Sequence, residues 1–149
     1  MFLNEKISIS IVSHNQSRLV KQLLNSAIGI FDKFEVIITC NIPEDMDFDV
    51  NSYPFEITII NNLTPKGFGE NHNQAFSKST GKLFCILNPD IVFQNNPFEK
   101  LLSVFQENAN IIGIISPKII NSQGYAEDNH RDFPTPFRII KRKLLSKSH

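Results

Sequence analysis

Short apolar runs alternate along this chain with segments of helical periodicity, and several of the runs stop abruptly at a cluster of polar residues. Residues 7–12 (ISISIV) are β-branched and end at Ser13-His14-Asn15, which reads as a buried strand closed by a polar turn. From Ser17 onward Val20, Leu23, Leu24, Ala27, Ile28 and Phe31 recur at helical spacing, with Ser17 or Asn15 as the cap and Gly29 near the end. Strands are expected at 34–40 (FEVIITC), 55–60 (FEITII), 83–87 (LFCIL) and 111–115 (IIGII). Helices are expected over 70–78 and from Pro97, the latter with Phe98, Leu101, Leu102 and Phe105 as its buried stripe. The acidic, Pro-bearing stretch 41–53 reads as an exposed connection. Such alternation implies an α/β fold: a mostly parallel sheet with helices on both faces, whose ligands bind beyond the carboxyl ends of the strands.

The length of 149 residues suits one domain, expected over 1–136, followed by a separate segment 137–149. Lys plus Arg equals Asp plus Glu at 15 each, so no basic excess points to nucleic acid and any attraction to anions must be local. No apolar run approaches membrane-span length, and Asn4, Glu5 and Lys6 stand where a signal peptide needs an apolar core, so a cytoplasmic location is expected. Cys40 and Cys85 lack metal or redox spacing and read as reduced core thiols. His14, His72, His130 and His149 are scattered without ligand spacing and read as polar or surface histidines.

Three polar clusters follow three expected strands: Ser13-His14-Asn15, residues 61–73 (NNLTPKGFGENHN), and Asn88-Pro89-Asp90. In a parallel sheet those strand ends share one edge. An acidic residue there suits a divalent cation that must also grip phosphate oxygens, since Mg²⁺ takes few protein ligands, which makes Asp90 the metal candidate. The alternative is that Asn-Pro-Asp forms a common turn in which Asp90 bonds its own backbone. Gly67-Phe68-Gly69 departs from a dinucleotide fingerprint at His72, and the acidic residue expected about 20 positions on is missing. It reads either as a loop whose backbone approaches a ligand closely, with Asn71 and Asn73 opening the next helix, or as a plain loop.

These motifs together resemble the family-two glycosyltransferases, particularly the bacterial rhamnosyl- and polysaccharide-type members. The likeness rests on ISIVSHN, on NLTPKGFGENHNQAFSKSTGKLFCILNPD, and on Ile114 through Ile119, Gly124 and Arg131-Asp132-Phe133-Pro134. Asn61 or Asn62, Gly67, Phe68, Gly69, Asn73, Gly81, Leu87, Asn88, Pro89 and Asp90 fit the family's glycine loop and its Leu-Asn-Pro-Asp metal motif, with a few extra residues at 64–66. The resemblance implies a GT-A fold that binds a nucleoside diphosphate-sugar and serves cell-surface polysaccharide assembly. Ser13 and Asn15 would face the base and ribose, Asp90 would hold Mg²⁺ or Mn²⁺, and Asn41 would stand in for the acidic residue that members place after the second strand.

Family members continue into a segment whose Glu-Asp pair supplies the catalytic base, and Glu127-Asp128 lies too early to match it. No base is therefore carried over, and the chain alone is expected to transfer little, with Asp128 the first residue to test should it do so. The competing expectation is a non-catalytic nucleotide-sugar-binding module. Residues 137–149 set Phe137, Ile140 and Leu144 among Arg138, Lys141, Arg142, Lys143 and Lys147, as in a basic amphipathic helix. That pattern suits the inner face of an anionic membrane or a homodimer, or else a solvated end.

Overall fold

The computed structural model describes residues 5–30, 33–121 and 123–126. The chain forms two compact units, Met1–Gly113 and Ile114–His149. The first carries the elements β1 (Ile7–Ser13), α1 (Ser17–Ser26), β2 (Phe34–Cys40), a 3₁₀ turn at Val50–Ser52, β3 (Glu56–Asn61), α2 (Phe68–Phe76), β4 (Leu83–Leu87) and α3 (Phe98–Glu107). The four strands lie in the order β3-β2-β1-β4, and all pair in parallel. Expected strands 34–40 and 83–87 match residue for residue, and α2 begins two positions earlier than its polar composition indicated.

Alternation along β1 divides the two faces. Ile7, Ile9 and Ile11 join Val36 and Ile38 in one core with Val20, Leu23, Leu24 and Ala27 of the α1 segment and Phe98 of α3. Each of the larger of these side chains, fully buried, contributes roughly 1.5–3 kcal/mol. The opposite face is covered by α2 and is more polar: Ser10 bonds His72 of α2 across 2.8 Å, and Phe76 of α2 packs edge-on against Phe84. Helices therefore flank both faces, as expected. The helical stripe of α1 ends sooner than its periodicity indicated, because the helix closes at Ser26 and leaves Ile28 exposed.

The expected strand at 111–115 is absent. The N–H groups of Ile111 and Ile112 both bond the Asn108 carbonyl at 2.9 Å, so they close a turn after α3 and are not free for a ladder, and Ile111 is 87% exposed. In the second unit the described residues form an antiparallel bridge, Ile120 with Ala126, around a turn in which Asn121 Oδ1 accepts from the N–H of Gln123 and Tyr125.

The start of β4 admits only glycine. A Cβ at Gly81 would stand 2.5 Å from Ser8 Oγ, 2.7 Å from Ser8 N and 2.8 Å from Lys6 O, two of them backbone atoms of the neighbouring strand segment. Gly81→Ala is expected to cost about 1–3 kcal/mol through forced separation of β4 from β1. Urea denaturation measures this, and an unchanged midpoint would show that the strands part without penalty.

Candidate functional site

From β1 the chain runs outward in one direction to β2 and β3, whereas β4 lies on the other side, so the order reverses between β1 and β4. In open parallel sheets that reversal leaves a crevice beyond the strand ends, because the connections leave in opposite directions. Ile11 pairs with Leu87, which brings Ser13-His14-Asn15 and Asn88-Pro89-Asp90 to the two sides of this crevice.

The turn after β1 is held from outside. Ser13 is buried, its carbonyl accepts from Asn41 N at 2.7 Å, and its hydroxyl accepts from Gln16 N at 3.2 Å. Asn15 is exposed and left-handed at φ 59, a conformation its short amide tolerates. Neither Asn15 nor Ser17 caps α1, as the periodicity implied; Gln16 occupies the cap position without a side-chain bond. The cap comes instead from Glu44, whose two oxygens each accept at 3.1 Å, from Asn15 N and Gln16 N.

Asn41, just past β2, ties the glycine loop to the sheet. Its Oδ1 accepts from Lys66 N at 2.7 Å and Asn71 Nδ2 at 3.0 Å, and its Nδ2 donates to Lys66 O at 3.1 Å. This double bond pattern with one backbone unit needs a carboxamide: a carboxylate could not donate to the Lys66 carbonyl. Asn62 joins the cluster through Asn71 Oδ1 at 2.7 Å, while its own Oδ1 is buried without a partner.

The loop so held delivers Gly67, Phe68 and Gly69 to the start of α2, all three exposed. Apart from its chain neighbours and the local helix backbone, a Cβ at Gly67 or Gly69 would meet no atom of the described residues within 4 Å, and neither glycine has positive φ. Packing within the fold therefore does not explain them. Asn73 is exposed further along α2. Across the crevice Asn88 is exposed and its carbonyl accepts from Ile91 N at 3.3 Å. The exposed Asp90 carboxylate in that turn has no hydrogen bond or ion pair among the described residues, so the self-bonded turn anticipated as the alternative is not formed. No group of three His, Cys, Asp or Glu side chains assembles there among the described residues, so a cation would rest on one carboxylate and on ligand oxygens.

Two further groups escaped the sequence reading. His72 is buried, its pKa lowered by that burial, although its polar surroundings in sequence indicated a surface residue; its helical offset of four from Phe68, which it meets edge-on, was the available signal. Glu35 is buried at the opposite edge of the sheet and takes bonds from Ser8, Thr80 and Lys6. The two thiols are free, and burial pushes Cys40 up to about 11 and Cys85 up to about 12, so neither is nucleophilic at neutral pH.

The Glycosyl transferase family 2 model matches residues 8–149, nearly the whole chain. The chain belongs to glycosyltransferase family 2. An uncharacterized glycosyltransferase of Haemophilus influenzae is 33% identical over 112 residues, covering 74% of this chain, and the chain spans only 38% of that relative's length. The S. aureus protein TarS superposes with a TM-score of 0.59 at 19% identity, over 70% of this chain and 20% of that one. A mannosyltransferase from Pyrobaculum calidifontis, solved with GDP-Man and Mn²⁺, gives a TM-score of 0.53 at 17% identity, over 62% of this chain and 29% of that one. These two likenesses show the fold: a family 2 domain on the GT-A sheet, with its strand order reversing where the candidate residues meet.

Proposed function

We propose that this family 2 domain binds a nucleoside diphosphate-sugar together with Mg²⁺ or Mn²⁺ and serves glycosyl transfer in cell-surface polysaccharide assembly. The observation that carries the reading is the exposed Asp90, without a hydrogen bond or ion pair among the described residues, in the turn that lies across the crevice from the β1 turn. Asn15 takes the base and ribose end, and the buried Ser13 serves that end by holding the turn. Gly67, Phe68, Gly69, Asn73 and Asn88 border the sugar diphosphate, and Asn41 serves by holding their loop. Glycines that the fold itself does not require fit a surface kept low for a ligand. Asp90 would hold the cation, which supplies charge compensation to the phosphate oxygens as the nucleoside diphosphate departs.

A position at the inner face of the membrane belongs to the same proposal. Among the described residues no helix is long and apolar enough to cross a membrane, and the basic segment 137–149, which would meet anionic lipid or a second copy, lies outside the described residues, as do Glu127 and Asp128.

Thermal melting against a panel of nucleoside diphosphate-sugars, with and without Mn²⁺, tests the reading. A ligand at a hundred times its Kd adds about 2.7 kcal/mol, which raises the melting temperature by several degrees. The expected result is such a rise for donors of one base, enlarged by Mn²⁺. A chain that ignores every donor, or that responds to NAD instead, overturns it. Binding without transfer to any acceptor would assign the chain to the non-catalytic modules.

A further inference from the structure

The segment that leaves β2 folds back over the start of α1, and its bonds there are directed at the backbone of the β1 turn. Glu44 Oε1 accepts from Asn15 N and Oε2 from Gln16 N, both at 3.1 Å. Three residues on, Asp47 Oδ1 accepts from the Ser17 hydroxyl at 2.9 Å, Asp47 N donates back to that hydroxyl at 2.9 Å, and Lys21 Nζ donates to Asp47 O at 2.8 Å. The helix has no acidic residue in its own first turn and no side-chain cap, so Glu44 provides the negative charge that its N-terminus attracts.

Two consequences follow for a ligand. The carboxylate takes the Asn15 and Gln16 N–H groups just before α1, and its charge disfavours a second anionic group on this side of the crevice. The same two bonds fix Asn15 in its left-handed conformation and thereby set the backbone from which the exposed His14 and Asn15 side chains project.

We infer that Glu44 is a positioning residue for the nucleoside end of the donor, acting through the β1 turn. The inference rests on the nucleotide-sugar reading above. Glu44 is not the sole support of α1, which keeps the Asp47 ties and the buried Val20, Leu23 and Leu24 without it.

Binding of UDP, GDP, ADP and CDP, each with Mn²⁺, is measured by calorimetry for the wild type, Glu44→Gln and Glu44→Ala, with Mn²⁺-pyrophosphate as the probe that lacks a nucleoside. Gln offers one acceptor oxygen and turns an NH₂ toward an N–H, so it breaks the paired acceptance at almost constant shape. For the nucleotide that the wild type prefers, Kd is expected to rise about tenfold in both variants, the scale of one charge-assisted hydrogen bond lost. Preference among the four bases should narrow, and pyrophosphate affinity should stay within about twofold because no phosphate contact is touched. Unchanged nucleotide affinity and base preference in both variants overturns the inference while leaving the donor reading intact. An equal loss for nucleotide and pyrophosphate also overturns it, since that is what general loosening of the fold produces. A wild type that binds none of the four nucleotides overturns the donor reading and this inference with it.

Discussion

Asp90→Ala should abolish Mn²⁺-dependent binding of a nucleoside diphosphate while leaving the melting temperature of the free domain unchanged. The carboxylate is exposed and has no hydrogen bond or ion pair among the described residues, and the turn that bears it is closed by the Asn88 carbonyl and Ile91 N–H. Removing it therefore costs the fold almost nothing. A cation resting on one protein carboxylate and on ligand oxygens loses its anchor to the protein, which is worth several kcal/mol, or roughly a hundredfold or more in affinity. Asp90→Asn, which keeps the shape and removes the charge, should lose nearly as much. Titration of UDP or GDP at increasing Mn²⁺ decides it: a variant with wild-type Mn²⁺ dependence would place the cation elsewhere.

Glu35→Ala should be the most destabilising single truncation at the sheet's opposite edge, by about 3–4 kcal/mol, because it strands several donors in a buried place. Glu35 accepts from the Ser8 hydroxyl, from Thr80 N and Oγ1, and from Gly81 N, and its Oε2 lies 2.7 Å from Lys6 Nζ. Burial pushes its carboxyl up, but the bonds from Lys6, Ser8 and Thr80 outweigh this and hold it down to about 2, against an ordinary 4.5. Since the folded value is depressed, the stabilisation is fully present above the unfolded value and is lost as pH falls from about 4.5 toward 2. A lowering of this size is worth up to about 3 kcal/mol. Urea midpoints measured between pH 6 and pH 2.5 should fall steeply in the wild type and much less in the variant. Parallel slopes would remove Glu35 from the acid response.

Much of the sheet was legible because its strands read as short apolar runs bounded by polar turns, most plainly 34–40, which is buried along nearly its whole length, and 83–87, which is apolar throughout though only half-buried. The run at 111–115 carries the same signal yet forms no strand, since composition does not record that Asn108 already takes the N–H groups of Ile111 and Ile112. Ser13, Asn15, Asn88 and Asp90 could be placed together because parallel strands put their carboxyl ends on one edge. Glu44 could not, as nothing in an acidic, Pro-bearing connection shows that one carboxylate returns to a turn far back in the chain. Asn41 was marked as a ligand contact through its place after β2. Its pairing with Lys66 depends on how the glycine loop folds over the sheet, which spacing alone does not encode.

The place of β1 between β2 and β4 also bears on how the domain reaches its native state. β1 and β2 can pair across a short loop that holds α1, a fairly local event, whereas Ile7 meets Leu83 only by closing a much longer loop. Closing that long loop is an entropic cost paid before the contacts that reward it, which makes pairing of β4 the late and slow event of folding. Half of the candidate crevice is built on the end of β4, so a chain arrested before that event has a formed β1 turn and no Asp90 opposite it. Binding competence is then acquired in the last step of assembly, and a ligand that spans the crevice stabilises the junction that forms last.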